Sequence, residues 1–149
     1  MIVEAQVTIR GSRPALWAAI TDIANASGAI KGIEKIEIVE KPALGLVGLK
    51  WKETRLLFGK PATVEKRITK AVENEFYETR AEDGGFVFLT TLRISEDSGG
   101  LTLTGSHASE PQGVAASLMS IPMRLFFKGV VRKAALQDLN DIKAAVERA

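Results

Sequence analysis

The sequence predicts an α+β fold in which a seven-stranded antiparallel sheet packs against one long C-terminal helix. The chain begins with a segment in which apolar and polar residues alternate. Its middle consists of short strand-like runs separated by turn residues, and its last part has apolar residues at helical spacing. A sheet with one apolar face and an amphipathic helix must bury those faces against each other. With 149 residues and neither repeat nor linker, the chain is expected to form a single domain over 1–149.

The first segment is predicted to be a half-buried strand followed by two short helices. Gly11 ends the strand, and Ser12 caps a helix whose first turn tolerates Pro14, because an amide there has no intrahelical partner to lose. A second short helical turn fits residues 26–30. The inward side chains of the strand are Val3, Ala5, Val7 and Ile9.

The middle of the chain is predicted to be an antiparallel meander. Turn residues recur about every ten positions, and the sequence Asp83-Gly84-Gly85 is typical of a tight hairpin. The six strands are predicted near 33–41, 47–57, 61–70, 74–82, 85–95 and 100–109.

The long helix is predicted from a stripe at helical spacing: Phe127, Val131, Ala135, Leu139, Ile142 and Val146. Either the helix starts near Pro122, or a helix that begins near Gly113 kinks there, and the kink is favoured. Asp138 and Asp141 lie off the stripe and are predicted to belong to a solvated face.

Composition excludes several classes of site and partner. The chain has no cysteine, so it forms no disulfide and no cysteine-ligated metal site, and no metal or other cofactor is expected. A net charge of +2 gives no reason to expect a nucleic-acid partner. No run approaches the roughly 20 apolar residues of a membrane span. The opening MIVEAQVTIR lacks the order of a signal peptide, so a cytoplasmic location is expected.

Three stretches resemble the START-related (SRPBCC) superfamily. They are VTIRGSRPALWAAITD with Trp17 and Asp22, GLVGLKW before Glu53, and EPQG before the long helix. The resemblance covers the whole chain and implies a helix-grip fold, with a curved sheet around the last helix and an apolar cavity between them. Members include polyketide cyclases and dehydratases, carriers of lipids and quinones, and chaperone co-factors, so the fold does not choose a function.

The only histidine, His107, shares a parity with Leu101 and Leu103 and is predicted to point inward. Two readings stay open: a hydrogen-bonded histidine near the mouth of the implied cavity, which is favoured, or a polar anchor or proton carrier. A lone histidine without carboxylate partners at ligand spacing gives no reason to expect a metal site.

Glu53 and Arg55 share a parity with Trp51, which places both charges inside the implied cavity if the strand is regular. Buried charges must be paired or functional. The alternative is a β-bulge near Lys52 or Thr54 that reverses the faces, and the apolar Leu56 on the opposite parity slightly favours it.

The leading hypothesis is a protein that binds or carries a small hydrophobic or amphipathic ligand, such as a lipid, a quinone or a polyketide-like molecule. The first alternative is a cyclase or dehydratase in which His107 and Arg55, with Glu53 as a further candidate, carry the chemistry. The second is a protein-interaction module. The predicted ligand-binding residues are Trp51, Phe88, Leu103, His107, Met119, Met123 and Phe127.

Overall fold

The structure, a computed structural model, describes residues 1–57 and 59–148, with the backbone alone described over 114–127. Strand β1 (Ile2–Ile9) is followed by helices α1 (Arg13–Thr21) and α2 (Ala26–Ala29), with a 3₁₀ turn at Ile23–Asn25 between them. Six strands come next, and helix α3 (Val114–Arg148) follows them. The strands are β2 (Ile33–Glu40), β3 (Lys50–Leu57), β4 (Lys60–Val72), β5 (Phe76–Asp83), β6 (Phe86–Asp97) and β7 (Gly100–Pro111).

The seven strands form one antiparallel sheet in the order β1-β7-β6-β5-β4-β3-β2. From β2 to β7 each strand pairs with its neighbour in sequence, and only the β1–β7 pair joins distant parts of the chain. The predicted α+β fold is therefore confirmed, with its two short helices after the first strand and its long last helix.

Helix α1 begins as its sequence predicts. The Ser12 hydroxyl accepts a hydrogen bond from the Ala15 amide at 3.2 Å, and Pro14 lies in the first turn. The helix buries Leu16 and Trp17, and the Trp17 ring meets the Tyr77 ring edge-on at 6.2 Å between centroids. This contact attaches α1 to the concave face of the sheet.

Helix α3 buries the predicted stripe at Ala135, Leu139 and Ile142. It starts at Val114, so the alternative of a start near Pro122 is wrong. Pro122 lies within this helix, and the favoured kink there stays a prediction. Among the described residues, no helix combines the length and the apolar character needed to cross a membrane.

Polar contacts fix the C-terminal half of α3. Asp141 accepts a hydrogen bond from the backbone amide of Lys31 at 2.9 Å, and Lys143 donates to the Thr8 carbonyl at 2.6 Å. Glu147 accepts from the Arg10 amide at 2.9 Å. The prediction that Asp141 is solvated is wrong: it is 7% exposed, because it satisfies an amide in the connection that leads into β2.

Candidate functional site

In the part of the chain that the structure describes, two cavities lie between the concave face of the sheet and α3, and the deeper one also borders α1 and α2. The larger, here called the outer cavity, has a volume of about 660 Å³, within the range of roughly 300 to 1,000 Å³ typical of small-molecule pockets. The smaller, here called the inner cavity, has a volume of about 110 Å³ and lies deeper, against buried core residues such as Ile20 and Tyr77.

The outer cavity has mainly apolar walls. Leu56 and Leu57 at the end of β3, with Val130 on α3, line it while remaining about half exposed to solvent. Their exposure marks the side on which the cavity meets solvent. Its remaining apolar lining includes Val64, Ala81, Phe86, Phe88, Val131, Ala134 and Ala135.

The two cavities adjoin at a group of polar side chains. Six of them line both, and we call this set the polar belt. It brings together strands of the sheet and the last helix at one place on the concave face. Its members are Arg55 on β3, Lys66 on β4, Thr79 on β5, Thr90 on β6, His107 on β7 and Asp138 on α3.

Glu53 anchors the belt from the inner side. Its carboxylate accepts hydrogen bonds from Arg55 Nε at 2.7 Å, Lys66 Nζ at 3.0 Å and Trp51 Nε1 at 3.3 Å. The slightly favoured bulge near Lys52 or Thr54 is wrong, because β3 pairs with β4 without a break from Lys50 to Leu57. Two irregularities lie in the neighbouring strand β2, between Ile33 and Lys35 and between Ile38 and Glu40, so β3 keeps its alternation and the charges stay inside.

Arg55 links the sheet to α3. Its Nη1 and Nη2 donate to Asp138 Oδ1 at 3.1 Å and to Asp138 Oδ2 at 2.8 Å, which makes a bidentate pair. Gly32 leaves room for it: a Cβ at that position would lie 3.1 Å from Arg55 Nη1 and 3.6 Å from Asp138 Oδ1. The prediction of a solvated Asp138 is thus corrected as well.

The charges of this network stabilise one another. Burial alone would raise the pKa of Glu53, but the cations of Lys66 and Arg55 lower that pKa to about 2. Burial alone would likewise lower the pKa of Arg55, but its hydrogen bonds to Asp138 and Glu53 raise it. Glu53 and Arg55 are therefore ionised near neutral pH, and the formal charges of Glu53, Asp138, Arg55 and Lys66 sum to zero.

His107 lies in the belt, on the inward parity that its strand predicts. Its Nδ1 is 3.4 Å from Thr90 Oγ1, and its ring lines both cavities. Burial lowers the pKa of His107, and the cations of Lys66 and Arg55 lower it further, while Asp138 acts in the opposite direction. The ring is therefore uncharged at neutral pH.

The other predicted site residues are spread over three environments. Trp51 lines the inner cavity, and Phe88 lines the outer cavity, where its ring lies 6.1 Å from that of Phe86. Leu103 is fully buried in the packed core and does not line either cavity. Met119, Met123 and Phe127 fall in 114–127, and their side chains lie outside the described residues.

Sequence reasoning missed Lys66 and Asp138. Lys66 shares a parity with Val64 and Ile68 on β4, so strand alternation alone would have placed it inside. Asp138 lies three residues after Ala135, beside the buried stripe of α3. Over the described part of the chain, no three acidic or histidine side chains are grouped as a metal site requires.

The fold is similar to that of several solved structures. A protein of Thermus thermophilus, TTHA0849, superposes with a TM-score of 0.80 at 14% identity, over 99% of this chain and 98% of that one. The Zhui aromatase/cyclase of a Streptomyces species gives 0.77 at 19% identity, over 99% and 94%. Ara h 8.0201 gives 0.76 at 20% identity, over 100% and 99%.

No protein-family model and no curated protein sequence matches this chain. At such low identities the structural likeness shows the fold alone. What the site binds must therefore be argued from the two cavities and the belt between them.

Proposed function

We propose that this chain binds a small hydrophobic or amphipathic molecule in the outer cavity. Its helix-grip fold, which is that of the START-related (SRPBCC) superfamily, supports this proposal. The observation that carries the proposal is a cavity of about 660 Å³ with mainly apolar walls and one polar belt at its inner end. Pockets of this kind hold a ligand by apolar contact and orient it by a few polar groups. Lipids, quinones and polyketide-like molecules share that chemistry.

A cavity-filling variant tests this proposal. Ala81 is 4% exposed and lines the outer cavity, so Ala81→Phe should occupy ligand space without disturbing the packed core. We expect the wild-type chain to bind a neutral fluorescent naphthalene probe with a blue-shifted emission, and Ala81→Phe to bind it at least tenfold more weakly. Ala144→Phe, an exposed position on α3, is the matched control and should bind as the wild type does.

Native mass spectrometry of the purified protein supplies a second test. A ligand bound during expression should appear as an added mass that is lost on denaturation and reduced in Ala81→Phe. Equal probe affinities for the wild type and Ala81→Phe would contradict the proposal. We also propose a cytoplasmic location, as the sequence predicts, and cell fractionation checks it.

An enzyme of the cyclase or dehydratase type is the second candidate. It is favoured by one observation: His107 and Arg55 line the same two cavities, as a shared reaction site requires. A neutral His107 is competent to accept a proton from carbon. The guanidinium of Arg55, however, already donates to Asp138 and Glu53, so it has few donors left for a developing oxyanion.

Dehydration of a β-hydroxy ketone distinguishes the enzyme from the binding protein. In this reaction the proton from carbon and the hydroxyl group leave together as water, and the conjugated ketone that forms absorbs in the near ultraviolet. An enzyme should dehydrate the aldol adduct of benzaldehyde and acetone with multiple turnovers, and His107→Gln should abolish them. A binding protein should bind the adduct without turnover.

A protein-interaction module is the third candidate class. It requires an exposed apolar patch, whereas the apolar surface described above lines a cavity between sheet and helix. Capture of a stoichiometric protein partner that the naphthalene probe does not displace would favour this class over ligand binding.

A further inference from the structure

The two cavities meet at the polar belt, so a ligand that uses both must place its polar group between two apolar parts. Arg55, Lys66 and His107 line the outer and the inner cavity alike. Beyond them the inner cavity is walled by Ile23, Ile36 and Leu92. The polar group of a ligand that fills both cavities is therefore internal to the molecule and not at its end.

Charge balance at the belt selects against ionised ligands. Glu53 and Asp138 cancel Arg55 and Lys66, and each of the four makes an ion pair of 3.0 Å or less. A carboxylate entering here would add a charge, because Arg55 and Lys66, the cations of the belt as the structure describes it, are already ion-paired; or it would displace Asp138 and leave that carboxylate without its cation. A cationic ligand would meet the same problem with the opposite sign.

The belt nevertheless offers hydrogen-bond donors. An ammonium group has three N–H donors, and Lys66 Nζ uses one of them on Glu53. The side chain of Lys66 is about one quarter exposed, and it lines both cavities. An uncharged oxygen, such as that of a ketone or a hydroxyl, accepts from this donor and adds no net charge.

The two volumes set the sizes of the apolar parts. The outer cavity, at about 660 Å³, accommodates fused rings or a long chain. The inner cavity, at about 110 Å³, is smaller than the cavity of roughly 150 Å³ that binds benzene in another protein. Its volume therefore favours a short alkyl group over a six-membered aromatic ring.

Building on the proposed binding function, we propose that the preferred ligand is an uncharged molecule with an oxygen acceptor at the polar belt, a bulky apolar part in the outer cavity and a short alkyl end in the inner cavity. Lys66 is the donor to that oxygen. The inner cavity acts as the specificity-determining subsite for the short end.

Three naphthalene probes of similar size test the preference for an uncharged ligand with an oxygen acceptor. The affinities of naphthyl methyl ketone, ethylnaphthalene and naphthoate are measured by titration calorimetry. We expect the ketone to bind about tenfold more tightly than the hydrocarbon, the gain of one hydrogen bond from a charged donor. Naphthoate should bind most weakly of the three.

Lys66→Met tests the donor. This variant should reduce the advantage of the ketone over ethylnaphthalene, taken as the ratio of the two affinities in the same variant, to less than about twofold. Lys70→Met, an exposed lysine on the same strand, is the matched control and should keep the full advantage of the ketone.

A series of naphthyl ketones tests the inner subsite. Methyl, ethyl and propyl ketones should bind to the wild type, whereas the phenyl ketone should bind at least tenfold more weakly than the methyl ketone. Leu92→Ala enlarges the inner cavity and should restore binding of the phenyl ketone. Leu136→Ala, which is exposed on α3, should not restore it. If Leu92→Ala does not fold, the affinities of the wild type for the ketone series test the inner subsite by themselves.

The outcomes separate this inference from the proposed function. Equal affinities for the ketone and the hydrocarbon, or tighter binding of naphthoate, would overturn the ligand class and leave hydrophobic binding standing. Tight binding of the phenyl ketone by the wild type would overturn the inner subsite. If the folded wild type binds none of these probes, the proposed binding function fails, and this inference fails with it.

Discussion

The single histidine makes the belt accessible to direct measurement. Because no other imidazole is present, every imidazole signal in a nuclear magnetic resonance spectrum belongs to His107. Its pKa should lie below 6.5, since burial and the cations of Lys66 and Arg55 disfavour its protonated form. Lys66→Met should raise the pKa of His107, and Asp138→Asn should lower it. A wild-type pKa at or above 6.5 would contradict the placement of the ring.

Glu53 predicts a loss of stability in acid. Its pKa is about 2 in the folded chain against 4.5 for a free side chain, so the unfolded state takes up its proton first as the pH falls. The contribution of Glu53 to the free energy of unfolding is complete above pH 4.5 and is lost towards pH 2, by about 3 kcal/mol.

Urea unfolding between neutral pH and about pH 2 checks this prediction. The wild type should lose more stability over the acid range than Glu53→Gln does, and the difference between the two curves isolates Glu53 from the other carboxylates. Glu65→Gln, an exposed glutamate on β4, should parallel the wild type. Parallel curves for the wild type and Glu53→Gln would show that Glu53 is not ion-paired.

At the residue scale, the alternation of side chains along a strand predicts which face a residue lies on, but it does not predict the residue's ion-pair partners. The shared parity of Trp51, Glu53 and Arg55 is correct, but a local pattern does not show that Asp138, 83 residues beyond Arg55, completes the network. The sequence predicts no role for Lys66 and a solvated face for Asp138, because the role of a single charged residue depends on what faces it across the fold. Such pairings depend on strand register and on helix rotation.

Among the elements, the β5–β6 hairpin shows how a turn sequence determines backbone geometry. Gly84 and Gly85 connect the two strands with φ values of +58° and +81°, as a two-residue turn between antiparallel strands requires. Gly129 lies instead within α3, where a helical φ suits any residue. A Cβ at either Gly84 or Gly129 would meet no described atom within 4 Å.

Alanine at these two glycines should therefore have opposite effects. Gly129→Ala should raise the free energy of unfolding by about 0.5 to 1 kcal/mol, because alanine favours the helix and restricts the unfolded chain. Gly84→Ala should lower it by about 1 kcal/mol, because a Cβ strains the left-handed conformation. Thermal unfolding measures both, and effects of the same sign would contradict the backbone assignment at one of them.

On the scale of elements, the sequence predicted the number, order and type of helices and strands, because each depends on local periodicity and turn residues. The strand boundaries shifted by up to three residues, as at β3, which begins at Lys50 and not near 47. The bulge predicted in β3 is wrong, and the two irregularities lie in β2. They leave no distinctive residue in its sequence, IEKIEIVE, and show only in the pairing with β3.

For the molecule as a whole, the Arg55–Asp138 pair joins the sheet to the helix across the site. Asp138→Asn leaves a partly buried guanidinium with one carboxylate partner, and we expect it to lower the free energy of unfolding by about 1 to 3 kcal/mol, less than for a fully buried pair. A double-mutant cycle with Arg55→Met measures the coupling. Additive effects of the two substitutions would contradict a direct interaction. Glu34→Gln, exposed on β2, controls for loss of charge.

The pairing of β1 with β7 also has a kinetic consequence. The nearest paired residues, Ile9 and Leu101, are 92 positions apart, since 101 − 9 = 92. Closing such a loop costs roughly 4 kcal/mol of chain entropy, whereas the meander from β2 to β7 forms by local hairpins. We infer that β1 joins the sheet after the folding transition state. Substitutions in β1 should then accelerate unfolding and leave the folding rate nearly unchanged.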